Sequence, residues 1–237
     1  DGLLGAGRAG VSPAQMRYVR HDTADKLPLL EVIRQAKPTI LLGLSGVGGI
    51  FSEQVVKEMY TQCKQPIIFP LSNPTSNAEC TAAQAYTWTE GNAIVATGSP
   101  FDPGKCQEGC LNNWLTVRYT VDVDGKWKHP SQGNNMYIFP GVGLAAVACK
   151  VRRVSYRMLN RAGIALAKTL TPEEMSKGIV YPHISRIRQV SLEVAVAVAR
   201  TAFLEGLAGI KEPVDLERFL SDHMYSPEYV PIIKNPV

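Results

Sequence analysis

Three short apolar runs, each ending in turn residues and separated from the next by a helical pattern, constrain this chain more than any other feature. They are Thr39-Ile40-Leu41-Leu42-Gly43, Ile67-Ile68-Phe69-Pro70-Leu71 and Ala93-Ile94-Val95-Ala96-Thr97-Gly98. None alternates polar with apolar residues, which marks strands covered on both faces. Ahead of the first run, Leu29, Leu30, Val32, Ile33 and Ala36 recur at helical spacing until Lys37-Pro38 stops the helix. Between the first and second, Ser52 to Lys64 carries Val55, Val56 and Met59 on one helical face. Between the second and third, Ser76-Asn77-Ala78-Glu79 reads as a capping box opening a helix to about Trp88. Parallel strands need long crossovers, so strand, helix, strand, helix, strand predicts βαβ units on a parallel sheet.

Around this centre the chain is less regular. Residues 2–8 are a short apolar run dissolving into turn residues without a cap or start signal, and they read as a torn edge with something missing upstream. Residues 104–131 break the alternation, and Asp124-Gly125 within Arg118 to Lys128 predicts a two-residue hairpin on a surface excursion. Beyond Pro140 the pattern turns helical: Val142 to Val151, Tyr156 to Lys168, a capped start at Thr171-Pro172-Glu173-Glu174, and a long helix from about Ser185 to Glu205. In that last helix Val190, Val194, Ala195, Val198 and Ala202 form one stripe. Leu192, Val196 and Phe203 widen it beyond what a surface helix needs, so neighbours are expected on several sides. Leu216 to Met224 reads as a short helix followed by an extended arm. The fold class predicted is α/β, a Rossmann-like parallel sheet with flanking helices followed by a mainly helical C-terminal segment.

Composition excludes several classes. At 45% hydrophobic and 19% charged over 237 residues, the chain can bury a core and is not disordered as a whole. Its formal charge of +4 comes from scattered residues rather than a basic run, which gives no support to nucleic-acid binding. No stretch of 18 consecutive apolar residues appears, and no secretory signal is visible. Five cysteines are an odd number and too few for a disulfide framework, which favours a reducing compartment, the cytoplasm or the mitochondrial matrix. Cys106 and Cys110 are the one close pair. Lacking a second pair or a nearby His, they read as thiols in a solvated loop rather than a zinc site.

The candidate chemistry lies after the predicted strands, where open α/β sheets bind ligands. Gly43-Leu44-Ser45-Gly46-Val47-Gly48-Gly49 stands between strand and helix, where glycines let backbone N–H groups approach a phosphate or a nicotinamide ring. The spacing is not G-x-G-x-x-G, and a plain tight turn would look the same. Ser72-Asn73-Pro74-Thr75 offers an amide that could hold a carboxylate or carboxamide, or equally an Asx-turn. Gly98-Ser99-Pro100-Phe101 is a third strand-end loop, so three such loops converge. Gln132-Gly133-Asn134-Asn135 places paired amides ahead of an apolar segment, either for a ligand or for turn chemistry. None of His21, His129, His183 and His223 falls in these loops, and Ser45 and Ser99 lack triad partners at a recognisable spacing. No carboxylate cluster suggests a divalent metal.

At these loops the sequence resembles the C-terminal half of malic enzyme, the metal-dependent oxidative decarboxylase of malate. The stretches that carry the resemblance are Gly43 to Phe51, Gln65 to Thr75 running into Ala78-Glu79-Cys80-Thr81, Ala96 to Phe101, Gln132 to Gly141, Gly178 to Pro182 and Met224-Tyr225-Ser226. Together they cover nearly the whole chain from Leu27 and fall in the family's order.

The resemblance implies NAD or NADP as cofactor and malate as substrate, with Mg2+ or Mn2+ required. It implies that Asn73 and Asn134 bind the malate carboxylate and hydroxyl region, with Asn135 beside them. It further implies that Gly43, Leu44, Ser45, Gly46 and Gly48, with Asn73, lie at the nicotinamide end of the cofactor. Residues 1–134 would form the dinucleotide-binding domain, 135–206 would return to complete a catalytic domain, and 207–237 would be a tail aiding homo-oligomerisation. The family's catalytic Tyr and Lys, metal carboxylates, substrate Arg and first G-x-G-x-x-G match no position here, so this chain alone is expected to be inactive. Residues 104–131 exceed the family loop and suggest an insertion, and Arg17 and Arg20 read as solvated rather than as partners of a 2′-phosphate. Two other readings stay open, a non-catalytic nucleotide-binding or assembly module and another Rossmann dehydrogenase such as an amino-acid dehydrogenase.

Overall fold

The computed structural model describes residues 2–99, 121–123 and 125–226. Along the chain the elements are α1 (Pro13–Met16), α2 (Leu29–Ala36), β1 (Ile40–Gly43), α3 (Glu53–Gln62), β2 (Ile67–Pro70), α4 (Ala82–Thr87), β3 (Ile94–Thr97), β4 (Val121–Val123), β5 (Lys126–Lys128) and β6 (Ser131–Gln132). They continue as α5 (Phe139–Ala148), α6 (Tyr156–Lys168), α7 (Pro172–Ser176), α8 (Ile187–Leu204) and α9 (Leu216–Asp222). Two compact units result, residues 1–134 with 171–181, and residues 135–170 with 182–237.

The first unit is a parallel sheet in the order β1-β2-β3-β6. Leu41, Ile68 and Val95 point from successive strands to one face, where Val55, Val56 and Met59 of α3, Ile33 of α2 and Ala85 of α4 meet them in a core from which water is excluded. The crossover helices form for local reasons. Ser52 caps α3 by accepting from the Val55 N–H, and Lys37 ends α2 in the left-handed conformation at φ 48° before Pro38. A lysine there strains its Cβ against the following carbonyl. Lys37→Gly is therefore expected to raise stability by about 0.5–1 kcal/mol in urea unfolding; an unchanged or lowered midpoint would refute the strain.

Three expectations need correction. The helix before Trp88 does not open at Ser76. Residues Thr75–Asn77 make a short 3-10 turn, and the capping box is formed instead by Thr81 with Gln84. Glu79 faces inward, away from any helix end. Second, β1 is not covered on both faces: Ile40 and Leu42 are about half exposed, at 51% and 55%, because the packed helices α2, α3 and α4 lie on the opposite face with Leu41. Third, Ser131–Gln132 is a fourth parallel strand beside β3 that two polar residues do not announce. Residues 2–27, for their part, are tied in place. Ser12 and Gln15 form a capping box on α1, Gly5 bridges Arg20, and Asp25 accepts from the Gly5 N–H and from Arg8 at 2.9 and 2.8 Å.

The hairpin expected around Asp124-Gly125 is present as β4 paired antiparallel with β5, and Gly125 takes φ 77°. Phe101, Cys106 and Cys110 and the arm beyond Ser226 lie outside the described residues. In the second unit α8 packs against α5 and α6, burying the expected stripe of Val190, Val194, Ala195, Val198 and Ala202. Met158, Ala162 and Leu166 of α6 close over it, and Leu216 and Leu220 of α9 are also buried. Gly141 lets α5 approach α8 closely, since a Cβ there would stand 2.6 Å from the Ser191 carbonyl oxygen. Leu192, Val196 and Phe203, the residues that widen the apolar face, are only partly buried. No helix among the described residues is long and apolar enough to cross a membrane.

Candidate functional site

Strand register brings the sequence-predicted loops together. Gly43 pairs with Pro70, Ile68 with Val95 and Thr97 with Gln132, so all four parallel strands end level and their loops leave the same edge side by side. With about 4.8 Å between neighbouring strands, the Asn73 and Asn134 turns start about 10 Å apart. Gly133 donates to the Thr97 carbonyl at 2.9 Å, and a Cβ on it would lie 3.0 Å from Leu71 Cδ2. The turn bearing Asn134 therefore rises over the root of the turn bearing Asn73. Asn73 and Asn134 are both exposed.

Asn73 is held on its carbonyl side. Ser99 Oγ donates to Asn73 Oδ1, while Asn73 Nδ2 lies at 3.4 Å from the Leu71 carbonyl, a long and weak contact. The amide NH2 has a second hydrogen that can be donated to a carboxylate or hydroxyl oxygen. Gly98 keeps Ser99 close, because a Cβ at residue 98 would stand 2.8 Å from the Leu71 carbonyl carbon and 2.9 Å from Asn73 Nδ2.

The glycine turn after β1 differs from a phosphate cradle. Its N–H groups are engaged within the chain: Ser45 N–H on Glu79, Gly46 N–H on Ser72 Oγ, Val47 N–H on Ser45 Oγ and Gly49 N–H on the Ala78 carbonyl. Gly46 and Gly49 adopt φ 68° and 75° with nothing within 4 Å of where a Cβ would stand. Leu44 and Val47 are 76% and 55% exposed beside them. The turn offers an open, flat, largely apolar surface with few donors to spare, which suits a ring better than a phosphate.

Beneath this surface lies the residue that sequence reasoning misplaced. Glu79 is fully buried, and its Oε1 accepts from Ser45 N–H at 2.8 Å, Ser45 Oγ at 2.7 Å and Ser72 Oγ at 2.5 Å, while Ser72 N–H lies 3.4 Å from Oε2. Burial pushes its pKa up, but the hydrogen bonds from Ser72 and Ser45 outweigh burial and hold it below the ordinary 4.5. The adjacent Cys80 thiol is pushed up to about 12, by burial first and by the Glu79 charge second, so it is neither a nucleophile nor a ready metal ligand at neutral pH. The one sequence signal for Glu79 was negative: a carboxylate followed at once by a second capping pattern, Thr81-x-x-Gln84, cannot also be needed as a cap.

Asn135 belongs to the second unit, where it is exposed at the start of a 3-10 turn and lines, with Met136, Phe139, Pro140 and Leu159, an apolar cavity of about 670 Å³. His129 precedes β6 and so lies at the opposite end of the sheet. Among the described residues no three His, Cys, Asp or Glu side chains gather as a metal site.

A level-ended parallel sheet with a glycine turn and an amide-bearing turn at its carboxyl edge is a dinucleotide-type α/β domain. Comparison with known proteins narrows the class. A family model described as "Malic enzyme, NAD binding domain" matches residues 1–113 and 118–203. NADP-dependent malic enzyme of Dictyostelium discoideum is 42% identical over 230 residues, covering 96% of this chain and 39% of that protein. NADP-dependent malic enzyme 3 of Arabidopsis thaliana is 43% identical over 88% of this chain and 33% of its own length. A malic enzyme crystal structure from Pyrococcus horikoshii shares the fold at a TM-score of 0.55 and 24% identity, covering 78% of this chain and 34% of that one. The chain belongs to the malic enzyme NAD-binding domain family, and it spans about two fifths of the length of the D. discoideum relative. The match breaks at 114–117, inside the segment expected to be an insertion.

Proposed function

We propose that this chain is the part of a malic enzyme that receives the nicotinamide end of NADP or NAD and one end of malate, in the oxidation of malate to pyruvate and CO2. The observation that carries the reading is the level sheet edge, where the open Gly43 to Gly49 turn, Asn73 and Asn134 follow the ends of β1, β2 and β6. NADP is the first candidate because the D. discoideum and A. thaliana relatives compared above are named for it.

In this reading Gly43, Leu44, Ser45, Gly46 and Gly48 form the surface on which the nicotinamide ring rests. Gly46 and Gly49 leave the ring room, and Leu44 and Val47 exclude water from its edge. The dinucleotide, when bound, supplies the hydride acceptor for C2 of malate. Asn73 donates its NH2 to a malate oxygen, with Ser99 holding the amide the right way round. Asn134 and the adjoining Asn135 contact the same substrate, and 135–206 contributes to a catalytic domain, with 207–237 aiding self-association. No His or Lys stands in the described strand-end loops, so we assign no base, acid or metal ligand to this chain.

The test is titration of the chain with NADP+ and L-malate, together with an NADPH-formation assay in Mn2+. Binding without turnover is expected, and Asn73→Ala should weaken malate at least tenfold while changing NADP+ affinity less than threefold. Equal loss for both ligands, or no binding by the unaltered chain, would overturn the assignment.

A further inference from the structure

We propose that Glu79 is a positioning residue that fixes the nicotinamide-side turn and the malate-side turn in one register, so that the two ligands meet at a set separation. The inference rests on the functional reading above for the identity of the ligands, but the mechanical link itself stands on this chain's geometry. Glu79 Oε1 receives Ser45 from the first turn and Ser72 from the second, at 34 and 7 residues' separation. Ser72 Oγ in turn accepts the Gly46 N–H at 2.9 Å, so the two turns are joined through one carboxylate and one hydroxyl. Ser72 immediately precedes Asn73, and Ser45 and Gly46 form the middle of the proposed ring surface.

The rest of the packing is shaped around this link. Gly43 carries no side chain where a Cβ would stand 2.5 Å from Glu79 Cδ, so the strand end yields its volume to the carboxylate. The main chain makes a second tie farther along, from Gly49 N–H to the Ala78 carbonyl and from Phe51 N–H to the Glu79 carbonyl. That tie fixes the exit of the glycine turn, whereas the Glu79 side chain fixes its entrance together with the entrance of the Asn73 turn. Helix capping does not explain the residue, because Thr81 and Gln84 already cap α4. Nor does ion pairing, because the partners in contact with the carboxylate are hydroxyls and backbone N–H groups.

A positioning role through reach differs measurably from a role through charge. Glutamine keeps one oxygen at the position of Oε1, where three of the four donors converge, and loses the charge. Aspartate keeps the charge and withdraws the oxygens by one methylene. Amide hydrogen exchange on the labelled chain should therefore be nearly unchanged in Glu79→Gln, within about threefold. In Glu79→Asp it should rise at least tenfold at Ser45, Gly46 and Ser72 together, while the strand amides of Leu41 and Val95 hold their protection. Ser72→Ala supplies a second route if the aspartate variant does not fold, and there Gly46 and Ser45 should lose protection together. In the ligand arm, the NADP+ and L-malate concentrations that half-shift the Gly46 and Asn73 amides should both rise at least tenfold in Glu79→Asp and stay near the original in Glu79→Gln. The proposal is overturned if aspartate leaves both turns protected, if only one turn responds, or if glutamine is as damaging as aspartate. If neither ligand shifts those amides in the unaltered chain, the functional reading fails, and the exchange arm still decides whether Glu79 couples the turns.

Discussion

Replacing Gly98 with alanine is expected to destabilise the sheet-bearing unit by about 3 kcal/mol, the upper end of what overpacking costs. The new methyl would stand 2.8 Å from the Leu71 carbonyl carbon and 2.9 Å from Asn73 Nδ2, and the first of these is backbone at the end of a strand. Backbone cannot step aside there without breaking the register of β2 with β3. Gly46→Ala is the informative comparison, because that position has φ 68° but open space around it. Only the left-handed backbone is penalised, at about 1–2 kcal/mol. Urea unfolding of both variants measures the contrast, and a Gly98→Ala midpoint within error of the original would show that the loop adapts more readily than the strand spacing allows.

Removing the buried carboxylate should cost about as much. Glu79→Ala strands the Ser45 N–H and deprives two serine hydroxyls of a charged acceptor, which together cost about 3 kcal/mol at neutral pH. The cost depends on pH in a definite direction. Because the folded pKa lies below 4.5, the unfolded chain binds the proton more readily, so the carboxylate stabilises the fold above the unfolded value. That stabilisation is lost as the pH falls through the lower folded value. The difference in unfolding free energy between the original chain and Glu79→Ala should be largest at pH 6 to 7 and shrink steadily in more acid solution. A difference that grows on acidification would mean that burial, rather than hydrogen bonding, dominates the group.

Much of this architecture could be read from the sequence because it is written in short-range patterns. Ile67 to Pro70 and Ile94 to Ala96 are apolar without interruption, Tyr156 to Lys168 repeats at helical spacing, and Thr171 with Glu174 spells a cap. The convergence of the Gly43, Asn73 and Gly98 loops follows from parallel topology alone. What escaped was set by long-range contacts. Ser131 and Gln132 become a strand only because β3 offers an open edge, which no propensity of a two-residue polar segment reveals. Glu79 was misread because Ser-x-x-Glu is a good local cap, and its actual partners, Ser45 and Ser72, come from other turns. The expectation that β1 is covered twice failed for a related reason: an apolar run reports that a strand needs cover, not that the same chain supplies it.

The bare face of β1 has a practical corollary. Ile40 and Leu42 project from a strand that pairs on one side only among the described strands, and Leu44 continues the same alternation at 76% exposure. Alternate oily side chains beside unspent backbone donors and acceptors are the template on which strands of separate molecules stack. Dilution therefore belongs among the controlled variables for this polypeptide. Light scattering across a concentration series should precede any unfolding or titration curve, because colloidal growth along that edge would otherwise register as ligand binding or as heat stability.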